Sequence, residues 1–326
     1  MHFFLSWLVL VLGLFGATTA EAKSQLRSER DSVAMLTIGN SFADDATAYL
    51  PKLAEAGGKT LVIFRANLGG SSMERHAGHL QAAEANPADP AGRPYEKRTH
   101  PVTGETRDFS LPEALQMHRW DFVTIQQVSQ LSFRPETYHP YVDQLVAAIK
   151  KYAPQAEILI HETWAYREDH AMFKKSDGFT PAKMYEGLRA AYGQIAAETG
   201  SRIVPVGDAF NAARRTSRWN FSPDAKFDYT NPPPEQLPKE TGSLNTGWQW
   251  RKDPATGENE FHLDATHANV AGRYLGAAVF YETIFAAKKI PVTFIPEGLS
   301  PQEAKSLRKI AYKVVRSQRA REASAR

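Results

Sequence analysis

The chain has 326 residues, 39 Lys and Arg against 36 Asp and Glu, and no cysteine. A formal charge of +3 is too slight to point to a nucleic acid partner. The missing thiols exclude cysteine nucleophiles, disulfides and cysteine-ligated metals, and the length suffices for a core that buries most of the surface an unfolded chain exposes.

Residues 3–16 are almost wholly apolar, and Ala20-Glu21-Ala22 has the small-x-small form of a signal peptidase site. The run is short for a membrane span. Residues 1–22 are therefore expected to be a cleaved signal peptide of a secreted or periplasmic, bacterial-type protein with no stable membrane span. An uncleaved anchor is the alternative.

In the mature chain, residues 23–326, apolar β-branched runs recur at 34–38, 60–66, 122–125, 157–161 and 202–206. Several are apolar at consecutive positions, as parallel strands covered on both faces require. Amphipathic segments follow or separate them at 45–56, 138–152, 181–199 and 268–288. This alternation predicts a single three-layer, doubly wound α/β domain with a five-stranded parallel sheet. Two stretches, 86–109 and 217–260, read as insert loops; the second, with its run of prolines and its Trp248-Gln249-Trp250, ends directly before Asp264 and is expected to overhang any site built there. Ser300-Pro301-Gln302-Glu303 is a capping box with proline at the first helical position. The basic helix after it, with Lys305, Arg308, Lys309, Lys313 and Arg316, reads as a solvated face.

The ends of the predicted strands carry the chemistry. Thr37-Ile38-Gly39-Asn40-Ser41-Phe42 places a serine where the first strand turns into a helix, beyond the carboxyl end of a parallel sheet where ligands bind. Ser41 there can be a nucleophile or simply a helix cap. The second strand ends in Asn67-Leu68-Gly69-Gly70-Ser71-Ser72, whose glycines let the backbone turn tightly and approach a ligand. An ordinary βα turn reads the same way. The third runs into Gln126-Gln127-Val128-Ser129-Gln130, with amides able to donate to an oxyanion. Near the other end, Asp264-Ala265-Thr266-His267 offers a carboxylate that can orient an imidazole as base. Its plainer reading is a capping aspartate beside a surface histidine.

In this order the motifs resemble those of the SGNH (GDSL-type) hydrolases. Gly39-Asn40-Ser41-Phe42 matches the first block, with Asn40 where Asp is usual; Gly69-Gly70 matches the second and Asp264-x-x-His267 the last. The third block, usually G-x-N-D, departs: Gln126 to Gln130 stands there, with Gln130 aligned to the Asn. Gln126 is similar to the glutamine of the sialate and xylan acetylesterases. The resemblance implies a flavodoxin-like fold and an esterase in which Ser41 attacks an ester carbonyl, His267 takes its proton and Asp264 orients the ring. It assigns the oxyanion to the N–H groups of Ser41 and Gly70 and the amide of Gln130. Water then hydrolyses the acyl-enzyme, with no metal or organic cofactor.

For the substrate, small acetyl esters on carbohydrate are expected. Gln126, Gln127, Trp164, Trp248 and Trp250 are candidate contacts, and Tyr166 lies beside Trp164; aromatic faces suit sugar rings but also fill cores. Two rivals stand beside the esterase. One is a non-catalytic carbohydrate-binding protein on the same fold. The other is a metal-dependent hydrolase built from His76, His79, His262, Asp264, His267, Asp44 and Asp45.

Overall fold

The computed structural model describes residues 29–175 and 178–324; the expected signal peptide lies outside them. Strand β1 (Ser32–Gly39) is buried at every position after Ser32, which its unbroken apolar run anticipates. Helices α1 (Ser41–Thr47) and α2 (Leu50–Ala56) follow. The sequence predicts one helix over 45–56, but the chain breaks into two. Pro51, in the first turn of α2, has no N–H for the Thr47 carbonyl, which accepts from Arg65 instead.

The remaining elements are β2 (Thr60–Asn67), α3 (Met73–Ala85), β3 (Tyr95–Thr99), β4 (Thr106–Phe109), α4 (Leu111–Gln116), β5 (Phe122–Ile125), α5 (Tyr141–Tyr152) and β6 (Glu157–His161). After them come α6 (Ala171–Lys175), α7 (Pro181–Thr199), β7 (Arg202–Val204), α8 (Val206–Arg214), β8 (Asn245–Lys252), β9 (Asn259–Ala268), α9 (Val270–Phe285) and α10 (Pro301–Ser324). The predicted fifth strand is shorter than 202–206 because Pro205 ends it and Val206 begins α8.

The central sheet has five strands, all parallel, in the order β2-β1-β5-β6-β7. Counted along the chain these are strands 2-1-3-4-5, the flavodoxin-like arrangement, whose switch point lies between the carboxyl ends of β1 and β5. On one face α9 packs against α1, α2, α8 and α10; on the other, α3, α4 and α5 pack together.

Helix α9 departs from the amphipathic helix predicted over 268–288. It is buried throughout residues 274–285, because α10 covers the side that the sheet does not. Gly276 permits its close approach to α1: a Cβ there would lie 2.8 Å from the Ala46 Cα. Helix α10 has the expected capping box between Ser300 and Glu303. It is not merely a solvated face, since Ala304, Leu307, Ala311 and Val315 are buried against α9 while Lys305, Lys309, Lys313 and Arg316 stay exposed.

Neither predicted insert is a structureless loop. Residues 86–109 hold the antiparallel β3–β4 pair, anchored by buried Tyr95 opposite Phe109 and tied to the end of β2 by Arg98, which donates to the Asn67 carbonyl. Residues 217–260 run irregularly to Leu244 and then enter β8, which pairs antiparallel with β9. No helix among the described residues is long and apolar enough to cross a membrane.

Candidate active site

The turn from β1 into α1 is set by Asn40, not by Ser41. The Asn40 side-chain oxygen accepts from the Phe42 N–H at 3.0 Å and from Gln126 Nε2 at 2.8 Å, while its Nδ2 donates to the Ser71 carbonyl at 3.0 Å. With the cap supplied by its neighbour, the Ser41 hydroxyl is free for another partner. That partner is His267 Nε2, 2.8 Å from Ser41 Oγ across 226 residues of sequence.

Asp264 and His267 are not a helix cap and a surface neighbour: Asn269 caps α9, and both residues lie in β9, the second strand of the β8–β9 pair. His267 Nδ1 donates to Asp264 Oδ2 at 2.8 Å, which leaves Nε2 as acceptor toward Ser41. Asp264 Oδ1 accepts from the Thr266 N–H at 3.1 Å, the Thr266 hydroxyl at 3.0 Å and the His267 N–H at 2.9 Å. Burial alone would raise the Asp264 carboxyl, but hydrogen bonds from the His267 ring and from these backbone groups hold it well below the carboxylate range. The bond to Asp264 raises His267 above its ordinary value against desolvation; the charges of Asp264 and Asp45 add to the rise and Arg273 opposes it. The imidazole side chain remains 38% exposed, so the Ser41–His267 pair is open to solvent and to a ligand.

Aromatic packing holds this pair from behind. Phe42 lies 5.7 Å from the His267 ring and stacks on Trp164 at 4.3 Å, and Trp164 in turn stacks on Phe210 at 4.5 Å. The Trp164 indole N–H donates to the Thr266 carbonyl at 2.9 Å, fixing the backbone between Asp264 and His267.

That role corrects the expectation for Trp164, which is fully buried and cannot face a substrate. Gln126 and Gln127 are corrected likewise. Gln126 is buried between Asn40 and His161, accepting from His161 Nδ1 at 2.6 Å. Gln127 accepts from the N–H groups of Met73 and Val128 and donates to Thr137. Both amides are buried and brace the loops around Ser41, so neither faces a ligand. Gln130 is exposed in the turn after β5, and no hydrogen bond among the described residues commits its amide elsewhere. Gly70 is exposed with φ +63°, a conformation that favours glycine, and a Cβ there would meet no atom within 4 Å. Among the described residues the N–H groups of Ser41 and Gly70 have no backbone acceptor. Tyr166 is buried and bonds to Ser129 at 2.8 Å.

Trp248 and Trp250 are half-buried on β8, opposite Leu263 and Phe261 of β9. Trp248 stacks on Phe261 at 4.5 Å, with Phe227 and Tyr229 from the preceding segment against the same group. The β8–β9 pair that carries Asp264 and His267 therefore also carries an aromatic cluster.

The residues of the metal rival disperse. His76 Nε2 donates to the Gly39 carbonyl at 2.8 Å and its Nδ1 accepts from Tyr95, with burial pushing it down to about 4, so it is a neutral brace for the end of β1. His79 bonds to the Ala91 carbonyl, Asp44 accepts from Asn67, and His262 faces Gln249 across the β8–β9 pair. No group of three or more His, Asp or Glu among the described residues is placed to hold a metal ion. Sequence reasoning assigned no part to His161, and none to Asp45 beyond that metal set. Asp45 could have been found by its spacing, four residues after Ser41 on one helix face; His161 had no such signal.

A family model described as "Domain of unknown function (DUF4886)" matches residues 34–229. Among solved structures, a DUF4886 family protein from Bacteroides uniformis is 25% identical, covers 87% of this chain and 95% of its own, and superposes with a TM-score of 0.63. A protein from Slackia heliotrinireducens, provisionally assigned as an SGNH hydrolase, is 23% identical over 77% of this chain and 98% of its own, with a TM-score of 0.45. One from Parabacteroides merdae, provisionally assigned as a GDSL-like lipase, is 13% identical over 78% and 96%, with a TM-score of 0.40. No curated protein matches the chain.

Proposed function

This chain belongs to the DUF4886 family, and from that premise we propose that it is an SGNH-type serine esterase. The observation that carries the reading is the contact of Ser41 Oγ with His267 Nε2 at 2.8 Å, with Asp264 held 2.8 Å from the other ring nitrogen. A hydroxyl so placed loses its proton to the imidazole as it attacks an acyl carbon, and the carboxylate stabilises the imidazolium that forms. The tetrahedral oxyanion is received by the N–H groups of Ser41 and Gly70, with Gln130 as third donor. That assignment is supported by exposure, since Gln126 and Gln127 are buried in contacts with Asn40, His161, Met73 and Thr137 while Gln130 is exposed. His267 then protonates the leaving alcohol, and water drawn by the same ring releases the acid.

The substrate we propose is an acetyl ester carried on carbohydrate, met outside the cytoplasm. The small-x-small site at Ala20-Glu21-Ala22 supports export. Trp248 and Trp250, half-buried on the strand paired with the one that carries Asp264 and His267, support a sugar ligand. The test is hydrolysis of aryl acetates and acetylated oligosaccharides by wild type beside Ser41→Ala. Turnover by wild type and none by the variant is expected; equal turnover by both refutes the assignment.

A further inference from the structure

Helix α1 carries a second carboxylate that the reaction above does not use. Asp45 lies one helical turn beyond Ser41 and its side chain is buried. Its Oδ2 accepts from the Ala268 N–H at 2.8 Å, and its Oδ1 accepts from Arg273 Nε of α9 at 2.8 Å. Ala268 is the residue directly after His267. A single carboxylate thus joins the helix that bears the hydroxyl, the strand that bears the imidazole and the helix behind both.

We propose that Asp45 is a positioning residue, which clamps β9 to α1 so that the His267 ring stays within hydrogen-bond reach of Ser41. The proposal rests on the esterase reading of that pair. Ser41 and His267 come from segments 226 residues apart, and their mutual distance has to be fixed by contacts across the gap. The Ala268–Asp45 bond is the polar contact nearest in sequence to both. An ångström of drift at a proton-transfer pair costs on the order of a hundredfold in rate.

The clamp is also charged. The groups that face His267 are Asp264 from its own strand, Asp45 from α1 and Arg273 from α9. Removing the Asp45 charge leaves Arg273 uncompensated beside the ring. The imidazolium is then less favoured, and the neutral base survives to lower pH.

The test uses 4-nitrophenyl acetate and the full chain, with Asp45→Asn and Arg273→Gln measured beside wild type and Ser41→Ala. Asp45→Asn is expected to lower kcat about tenfold with KM within about twofold. It is also expected to move the acid limb of kcat/KM to lower pH by roughly half a unit. Arg273→Gln removes the opposing cation and is expected to move that limb to higher pH. Wild-type kcat in Asp45→Asn overturns the proposal, and so does a reduced kcat with an unmoved limb, which marks a merely structural residue. If Ser41→Ala is inactive and Asp45→Asn is normal, only the clamp fails; if Ser41→Ala keeps wild-type turnover, the esterase reading fails instead.

Discussion

At Asp264 one carboxylate collects four hydrogen bonds, three on Oδ1 and one on Oδ2. It is therefore ionised under any ordinary condition and leaves its imprint on His267, whose proton is held more tightly than usual. The base must be neutral to act, so kcat/KM is expected to rise with pH through a value above that of a free imidazole. Asp264→Asn removes the anion, so the limb should shift to lower pH while kcat falls by about 10⁴. A pH–rate profile on the two proteins checks both. Ser41→Ala and His267→Ala should each abolish turnover with the thermal unfolding curve preserved. For Gln130→Ala a fall of about a hundredfold is expected if its amide reaches the oxyanion. An unchanged kcat would leave the two backbone N–H groups as the whole of that binding site.

At the scale of elements, the β8–β9 pair carries the aromatic cluster on both strands and His267 on β9. Trp248→Ala should raise KM for an acetylated oligosaccharide about tenfold, the worth of one aromatic contact, and leave 4-nitrophenyl acetate unaffected. Equal loss on both esters would mean that the indole only supports β9. This pair was not legible in the sequence as a pair, because Trp248 and Trp250 stand in a Pro-rich stretch whose alternation is brief. The five parallel strands were legible because each is a consecutive apolar run bounded by polar turns, the mark of burial on both faces. The glutamines after β5 were legible as polar residues at a strand end. Whether an amide there meets a ligand or a loop depends on Asn40, His161 and Thr137, which come from other parts of the chain.

Across the whole molecule, α9 is the helix on which α1, α2, α8 and α10 converge on one face of the sheet. A Cβ at Gly276 would clash with the Ala46 backbone, so Gly276→Val should push α1 from its seat and reduce activity and stability together, read by turnover and by the unfolding midpoint. Glu282 marks a different cost. Burial pushes its carboxyl up to about 7, and its Oε2 has no partner. Between the unfolded value of about 4.3 and that folded value, the unfolded chain releases a proton that the folded chain keeps, so this group's contribution to stability falls as pH rises. Glu282→Gln does not titrate and should therefore gain about 2–4 °C in Tm over wild type at pH 7.5 relative to pH 5. An identical difference at both pH values would contradict this. The burial of α9 was hidden from the sequence because its outer cover, α10, looks solvent-facing when only its lysines and arginines are counted.

The separation of Ser41 from His267 gives the protein a temporal order. During synthesis the hydroxyl is delivered first and the imidazole more than two hundred residues later, so a growing chain holds an unpaired alcohol. On the proposed reading, reactivity arrives only when β9 docks, so an unfinished molecule cannot attack esters.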